Sequence, residues 1–189
     1  MLGRHLVGVA GEAVSIASYL PSVTTVPARG VKLFIRGNYP FDSRAALTFD
    51  MPKPAAFPVD FALPFGVSSL RVEVDGKLQK VSVLPSGFHR IQRTWKPREN
   101  VNVIFDFPLQ AHFHSESSGK RWVSFTRGPV VLAAESPHEL TGDSKSSDAR
   151  TWVEGSDTTY RIKGGPVLMP YSRAGVTKGG VYMYFAIRR

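Results

Sequence analysis

Cysteine is absent from the 189 residues, and that one absence removes disulfide scaffolds, thiolate nucleophiles and cysteine-held zinc together. It leaves the cellular compartment open, because a chain without cysteine suits an oxidising or a reducing one equally. Long hydrophobic runs are missing as well. No stretch approaches the ~18 consecutive apolar residues of a membrane-spanning helix, so no membrane partner is expected. Residues 1–20 carry Arg4 and an apolar stretch, but Glu12 and Ser15 interrupt it and no small-residue cleavage pattern follows, so no secretion signal is expected there. Apolar residues at helical spacing are lacking throughout, and Pro21, Pro27, Pro40, Pro52, Pro54, Pro58, Pro64, Pro85, Pro97 and Pro108 would break most helices that could be drawn.

Charge of one sign is in excess, but not concentrated. Lys and Arg number 24 against 15 Asp and Glu, a formal +9. The basic residues are scattered, with no block of five and no repeated aromatic-plus-basic motif, so no nucleic-acid partner is expected and the excess reads as a solvated surface.

What is present is alternation. Segments 13–20, 31–36, 46–51, 58–63, 70–74, 88–93, 100–107 and 121–125 place apolar and polar residues in turn, which puts one face of a strand on a core and the other in water. Turn residues separate them: Arg29-Gly30, Gly37-Asn38, Asp75-Gly76, Ser86-Gly87 and Ser118-Gly119. Asp75-Gly76 is the clearest hairpin signal, because a two-residue primed turn needs positive φ at both positions. Short strands at regular spacing predict an all-β chain built as an antiparallel, jelly-roll-like β-sandwich. Residues 1–135 are expected to form the sandwich and the polar stretch 136–150 a loop or linker. Residues 151–189 are expected to be a short C-terminal β extension, too small for a core of its own.

Chemistry-bearing residues are few. His112-Phe113-His114-Ser115-Glu116 is the most metal-like string, since strand residues two apart share a face, but two imidazoles and one carboxylate fall short of a four-ligand site. No metal or cofactor is expected. No nucleophile elbow or phosphate-binding glycine loop occurs. Glycoside hydrolysis needs two carboxylates flanking the scissile bond. Asp60, Glu73, Asp75 and Glu99 fall in strands or turns where a solvated face is the ordinary role, and Glu135, following the apolar run 130–134, is the one acid expected to be partly buried. Trp95 and Trp122 read as core or inter-domain packing; Trp152, beside the polar stretch, and Tyr171 are the candidates for stacking on a sugar ring.

Several uncommon strings occur in one order: Tyr19-Leu20-Pro21-Ser22, Tyr39-Pro40-Phe41, Val74-Asp75-Gly76, Gly87-Phe88 leading to Ile91-Gln92-Arg93-Thr94-Trp95, Arg127-Gly128-Pro129 before 130–133, Leu168-Met169-Pro170-Tyr171 and 181–185. That order resembles the β-sandwich portion of glycoside hydrolase family 127, the β-L-arabinofuranosidase type, and relatives such as family 146, over roughly residues 15–188. Two departures stand out. Where the family commonly has Arg-Ile-Pro-x-Trp this chain reads Ala62-Leu63-Pro64-Phe65-Gly66, and where Gly-Asp commonly follows the tryptophan it reads Arg98-Glu99.

The resemblance implies that activity resides in a separate α-helical barrel with a cysteine nucleophile, a zinc held largely by cysteines and a glutamate acid/base. A cysteine-free, all-strand chain lacks that machinery. The reading is therefore a non-catalytic module supporting a helical-barrel catalytic domain. The alternative is a free-standing carbohydrate-binding sandwich that uses aromatic stacking.

Overall fold

The structure, a computed structural model, describes residues 6–141, 148–156, 159–175 and 180–188. Strands dominate, and the helical segments among the described residues are three-residue 3-10 turns at Pro27–Arg29, Ala149–Thr151 and Tyr171–Arg173. The chain divides into two compact units, Met1–Asp106 and Phe107–Arg189.

The first unit holds β1 (Val7–Ala10), β2 (Ala13–Ile16), β3 (Ser22–Val26), β4 (Val31–Gly37), β5 (Arg44–Asp50), β6 (Ala55–Phe61), β7 (Ser69–Val74), β8 (Lys77–Leu78), β9 (Ser82–Val83), β10 (His89–Trp95) and β11 (Val101–Asp106). They form a five-stranded sheet in the order β1-β2-β6-β10-β9 and a six-stranded sheet in the order β3-β4-β5-β11-β7-β8. Pairing is antiparallel except between β2 and β6, which run parallel. The sheets meet face to face. Phe49 of β5 lies 5.9 Å from Phe57 of β6 and 5.0 Å from Trp95 of β10, ring centre to ring centre, so an aromatic from one sheet wedges between two from the other. The alternation that identifies β4 and β5 is borne out residue by residue. Val31, Leu33 and Ile35 are buried while Lys32 and Arg36 are exposed, and Ala45, Leu47 and Phe49 repeat the pattern. Asp75 and Gly76 take φ of 48° and 75° between Val74 and its partner Lys77, the two-residue primed turn that the dipeptide demands.

The second unit holds β12 (Leu109–Ser115), β13 (Arg121–Arg127), β14 (Val130–Ala133), β15 (Glu139–Thr141), β16 (Val153–Ser156), β17 (Thr159–Ile162), β18 (Val167–Pro170) and β19 (Phe185–Arg188). They make one eight-stranded sheet in the order β15-β19-β13-β14-β18-β17-β16, with β12 paired to β13. Its core contains Val123, Phe125, Leu132, Leu140, Trp152, Tyr160, Ile162, Leu168 and Phe185.

The division falls at 106/107, whereas the sequence reading placed it at 135/136. The physical reason is hydrogen bonding. β13 pairs with β12 over seven positions, with β14 along its C-terminal half and with β19 along its N-terminal half. Residues 107–135 therefore share a sheet and a core with the C-terminal segment, and what reads as an extension too small to stand alone is the second half of a unit. The polar stretch is not wholly loop either: it contributes β15 and the Ala149–Thr151 turn, capped by Asp148 accepting from the Arg150 N–H. Residues 142–147 of the expected linker lie outside the described residues.

Candidate functional site

The β12–β13 hairpin builds a concavity of varied chemistry. Its register sets His114 opposite Trp122, Phe113 opposite Val123 and His112 opposite Ser124. Odd positions of both strands turn to the core, where Val123 and Phe125 are fully buried, so even positions line the other face. β19 extends this face from the far side of β13, with Trp122 opposite Ala186 and Tyr184 just before the strand. His114, Ser115, Glu116, Trp122 and Tyr184 enclose an open cavity of about 450 Å³.

Inside it the side chains are oriented. His114 Nε2 is 3.1 Å from Ser124 Oγ, and its ring meets Tyr184 edge to face, centres 5.0 Å apart at 81°. Glu116 Oε2 accepts from Ser118 Oγ at 3.1 Å, and the 116–120 turn is closed by the Glu116 N–H to the Lys120 carbonyl at 3.0 Å. Tyr184 is half exposed, and Trp122 is half-buried with its indole N–H buried and unpartnered. This arrangement offers aromatic faces, an imidazole and a carboxylate to one ligand.

The strand placement of His112 and His114 is as the spacing implies, both on one face, but each ring nitrogen turns to a hydroxyl across the hairpin: His112 Nε2 to Thr126 Oγ1 at 2.9 Å, His114 to Ser124. Among the described residues no three His, Asp or Glu side chains converge as a metal site would need.

The two sugar-stacking candidates separate. Trp152 is 3% exposed and belongs to the second unit's core. Its ring faces are already covered by protein, so it cannot serve as a platform. A polar neighbourhood in sequence does not expose a side chain whose own position points inward. Tyr171 is 50% exposed in a 3-10 turn, apart from the residues enclosing the cavity. The residues that sequence reasoning missed are Trp122 and Tyr184. His114 carried the period-two signal, but Tyr184 joins it only through the pairing of β13 with β19, a long-range partnership with no local trace.

The acids also differ from expectation. Asp60 and Glu99 are buried, not solvated. Asp60 takes a bidentate pair from Arg90, Nε and Nη2 at 2.6 and 2.7 Å, which raises the guanidinium pKa above its ordinary value through the hydrogen bond. Glu99 accepts from Arg93 Nη2 at 3.0 Å and from the Lys96 N–H at 2.9 Å, while the Arg93 guanidinium also sits 5.1 Å over the Trp95 ring. Both carboxylates are committed to structural arginines. Glu135 is half-buried as expected, and its Oε1 accepts the Gly175 N–H at 3.2 Å.

The first unit carries an open cleft of about 760 Å³ lined in part by Lys32, Asp50, Met51, Pro97 and Arg98. Of these, Arg98 Nε lies 3.6 Å from Asp50 Oδ1. The one carboxylate is paired, so the cleft offers no second acid to work against it.

The five-plus-six-stranded sandwich is where the family match falls, while the fold likeness extends over both units. A family profile, the β-L-arabinofuranosidase GH127 middle domain, matches residues 13–107, half of the chain. No curated protein matches the sequence directly. Among solved structures, a family 127 β-L-arabinofuranosidase from Geobacillus stearothermophilus T6 shares the fold at a TM-score of 0.66 and 18% identity, over 97% of this chain and 35% of that one. A glycoside hydrolase and a family 127 β-arabinofuranosidase are similar to the same degree, with 37% and 36% of their lengths covered. The chain thus spans about a third of the length of these structures. With its matched region coinciding with the first unit and its fold followed across both, the chain belongs to the β-L-arabinofuranosidase GH127 family, through the middle domain.

Proposed function

We propose that this chain is a non-catalytic support module of a family 127-type glycoside hydrolase, packing against a helical-barrel catalytic domain and helping to shape the rim of its sugar site. One observation carries the reading: a middle-domain match joined to a fold likeness that covers nearly all of this chain and about a third of each solved relative. Two further features support it. The buried acids Asp60 and Glu99 are held by arginines, which suits a rigid scaffold better than proton transfer. In the segment where the family's Arg-Ile-Pro-x-Trp pattern would lie, Phe65 is 93% exposed.

Phe65 is not exposed through looseness. The Val67 N–H returns to the Pro64 carbonyl at 3.2 Å around Gly66 at φ 76°, and Val67 is buried behind it. The neighbouring loop is tied to the same place by Tyr19 Oη donating to the Ala62 carbonyl at 2.7 Å, leaving Leu20 43% exposed. A large aromatic presented on a fixed turn is what a docking contact requires, because little loop entropy is lost when a partner covers it.

The test begins with the DNA flanking this reading frame, where a helical-barrel coding sequence of the family is expected; unrelated sequence on both sides would remove the proposal. Given such a neighbour, co-expression should yield a one-to-one complex in size-exclusion chromatography. Phe65→Ser should weaken that complex while leaving the isolated chain's melting temperature unchanged.

A further inference from the structure

We infer that the outward face of the second unit's sheet is a carbohydrate-binding subsite, with Trp122 and Tyr184 as its apolar platform and His114 and Glu116 as its hydrogen-bonding groups. This inference stands apart from the support role, since it uses only residues outside the matched segment 13–107.

A sugar ring presents two kinds of surface. One face is a patch of C–H bonds and the periphery is a set of hydroxyls, so a binding site pairs an aromatic surface with a few fixed polar groups. The cavity supplies both. Tyr184 is 51% exposed although it immediately precedes Phe185, which is 1% exposed in the core. The exposed half of the Tyr184 ring adds nothing to the core. The ring is held by the edge-to-face contact with His114, which is in turn fixed by Ser124. Two linked contacts thus preset the tyrosine's orientation, and preorganisation lowers the entropy lost on binding.

The polar side follows from the hairpin turn. Glu116 leaves β12 at the cavity's edge, and its carboxylate accepts from Ser118 with one oxygen. A carboxylate has about four acceptor sites in all, which leaves capacity for two adjacent hydroxyls. The imidazole of His114 has two ring nitrogens, of which Nε2 is taken by Ser124, so Nδ1 is the atom suited to a ligand hydroxyl. A volume of about 450 Å³ lies within the usual ligand-pocket range of roughly 300–1,000 Å³. The open form suits one or two residues of a longer glycan passing across the sheet rather than an engulfed small molecule.

A stacked nucleobase would use the same aromatic rings, but the groups beside them oppose it. Glu116 stands at the cavity, where a phosphate backbone would meet like charge. Sugar is therefore the class that the wall chemistry favours.

The test is affinity electrophoresis of the full chain in gels containing arabinan, arabinoxylan or hydroxyethyl cellulose, with a single-stranded oligonucleotide of mixed sequence as the competing class. Retardation by at least one polysaccharide is expected, reduced about tenfold or more in apparent affinity by Tyr184→Ala and by Trp122→Ala. Tyr171→Ala should leave it unchanged. Because Trp122 is half-buried, Glu116→Gln is the companion variant whose folding is not at issue, and it should weaken retardation several-fold with the melting temperature preserved. Retention of full binding by Tyr184→Ala and Glu116→Gln, binding of the oligonucleotide alone, or no retardation in any polysaccharide would each overturn the inference.

Discussion

The two units solve the same problem, burying tryptophan in a β-protein, in different ways. In the first, Trp95 is fully buried between Phe49 and Phe57 and its indole N–H donates to the Phe57 carbonyl at 2.9 Å. In the second, the indole nitrogens of Trp122 and Trp152 are buried without a hydrogen-bond partner. The first unit also pairs each of its buried carboxylates with an arginine. The Trp95 bond stays within its own sheet, from β10 to the adjacent strand β6, and Asp60 and Arg90 face each other across the same pair of strands. The first unit is not uniformly matched, since His89 Nδ1 is also buried without a hydrogen-bond partner. The difference teaches that a buried polar group is satisfied where the neighbouring strand of its own sheet offers a partner at the right register.

The sharpest way to break this comparison is at the turn glycines, where the expected effects are largest. Gly128, in the Arg127-Gly128-Pro129 turn, has φ 51°, and a Cβ there would stand 2.6 Å from Cγ of Phe107. Gly128→Ala should destabilise the second unit by about 3 kcal/mol, combining overpacking with a disfavoured backbone. Gly76 in the first unit has φ 75° but nothing within 4 Å of the added carbon, so Gly76→Ala should cost only about 1 kcal/mol. Urea unfolding of the two variants checks the order, and equal losses would show that backbone strain, not the Phe107 contact, governs both.

Next in size is the tryptophan pair itself. Trp95→Phe and Trp152→Phe open similar voids, but the first orphans the Phe57 carbonyl whereas the second deletes an N–H that is already orphaned. An unsatisfied buried group costs roughly 1–3 kcal/mol, so Trp95→Phe should be the more damaging by about 2 kcal/mol or more. Unfolding midpoints that place the two together would mean that the Trp152 N–H finds water, and the contrast between the units would dissolve.

Alkaline pH provides a third probe, because it acts on a buried group of the first unit. Burial pushes the Tyr19 phenol far above its ordinary value of 10.0, with Tyr39 adding to the shift. A raised folded-state pKa means that the native state keeps a proton the unfolded state gives up. The resulting stability is complete below pH 10 and declines as pH rises beyond it, by at most about 1.4 kcal/mol per pH unit for one group. Melting curves between pH 9 and 11 should show this decline, and Tyr19→Phe should flatten it while losing the hydrogen bond to the Ala62 carbonyl.

How far the sequence reached also differs between the units. Alternation located β4, β5, β7, β10 and β11 closely, and Asp75-Gly76 fixed its turn, because in a two-sheet sandwich one face of each strand is buried and the other wet. The same pattern is silent about which sheet a strand joins. That is why 107–135 was assigned to the wrong unit and why the parallel pairings of β2 with β6 and β15 with β19 left no signal. Asp60 misled for a local reason: β6 is buried at Phe57, Pro58, Val59, Asp60 and Phe61 alike, so a charged residue in it goes inside with its partner. The candidate sugar site was half legible. His114 and Glu116 follow from strand periodicity, whereas Trp122 and Tyr184 depend on register between distant strands, and Trp152 took the role that its polar sequence neighbours suggested.

The smallest predicted effect tests the first unit's economy of polar pairing at Arg98, which with Asp75 is one of two non-glycine residues of positive φ among the described residues. Arg98 has φ 60°, in the left-handed region, and its N–H is held by the Phe49 carbonyl at 2.9 Å. Next to it, Glu99 accepts the Lys96 N–H and the Arg93 guanidinium. The turn's shape is thus dictated by Glu99 and Phe49, and Arg98 is carried into an unfavourable conformation that costs roughly 1–2 kcal/mol for a non-glycine residue. Its side chain, 81% exposed and 3.6 Å from Asp50, returns little, since a solvent-screened pair of this kind is worth between nothing and about 1 kcal/mol. Arg98→Gly should therefore stabilise the chain by about 0.5 kcal/mol, part of the relief being consumed by glycine's greater freedom when unfolded. A loss of stability in that variant would show that the Arg98–Asp50 contact is stronger than its exposure implies.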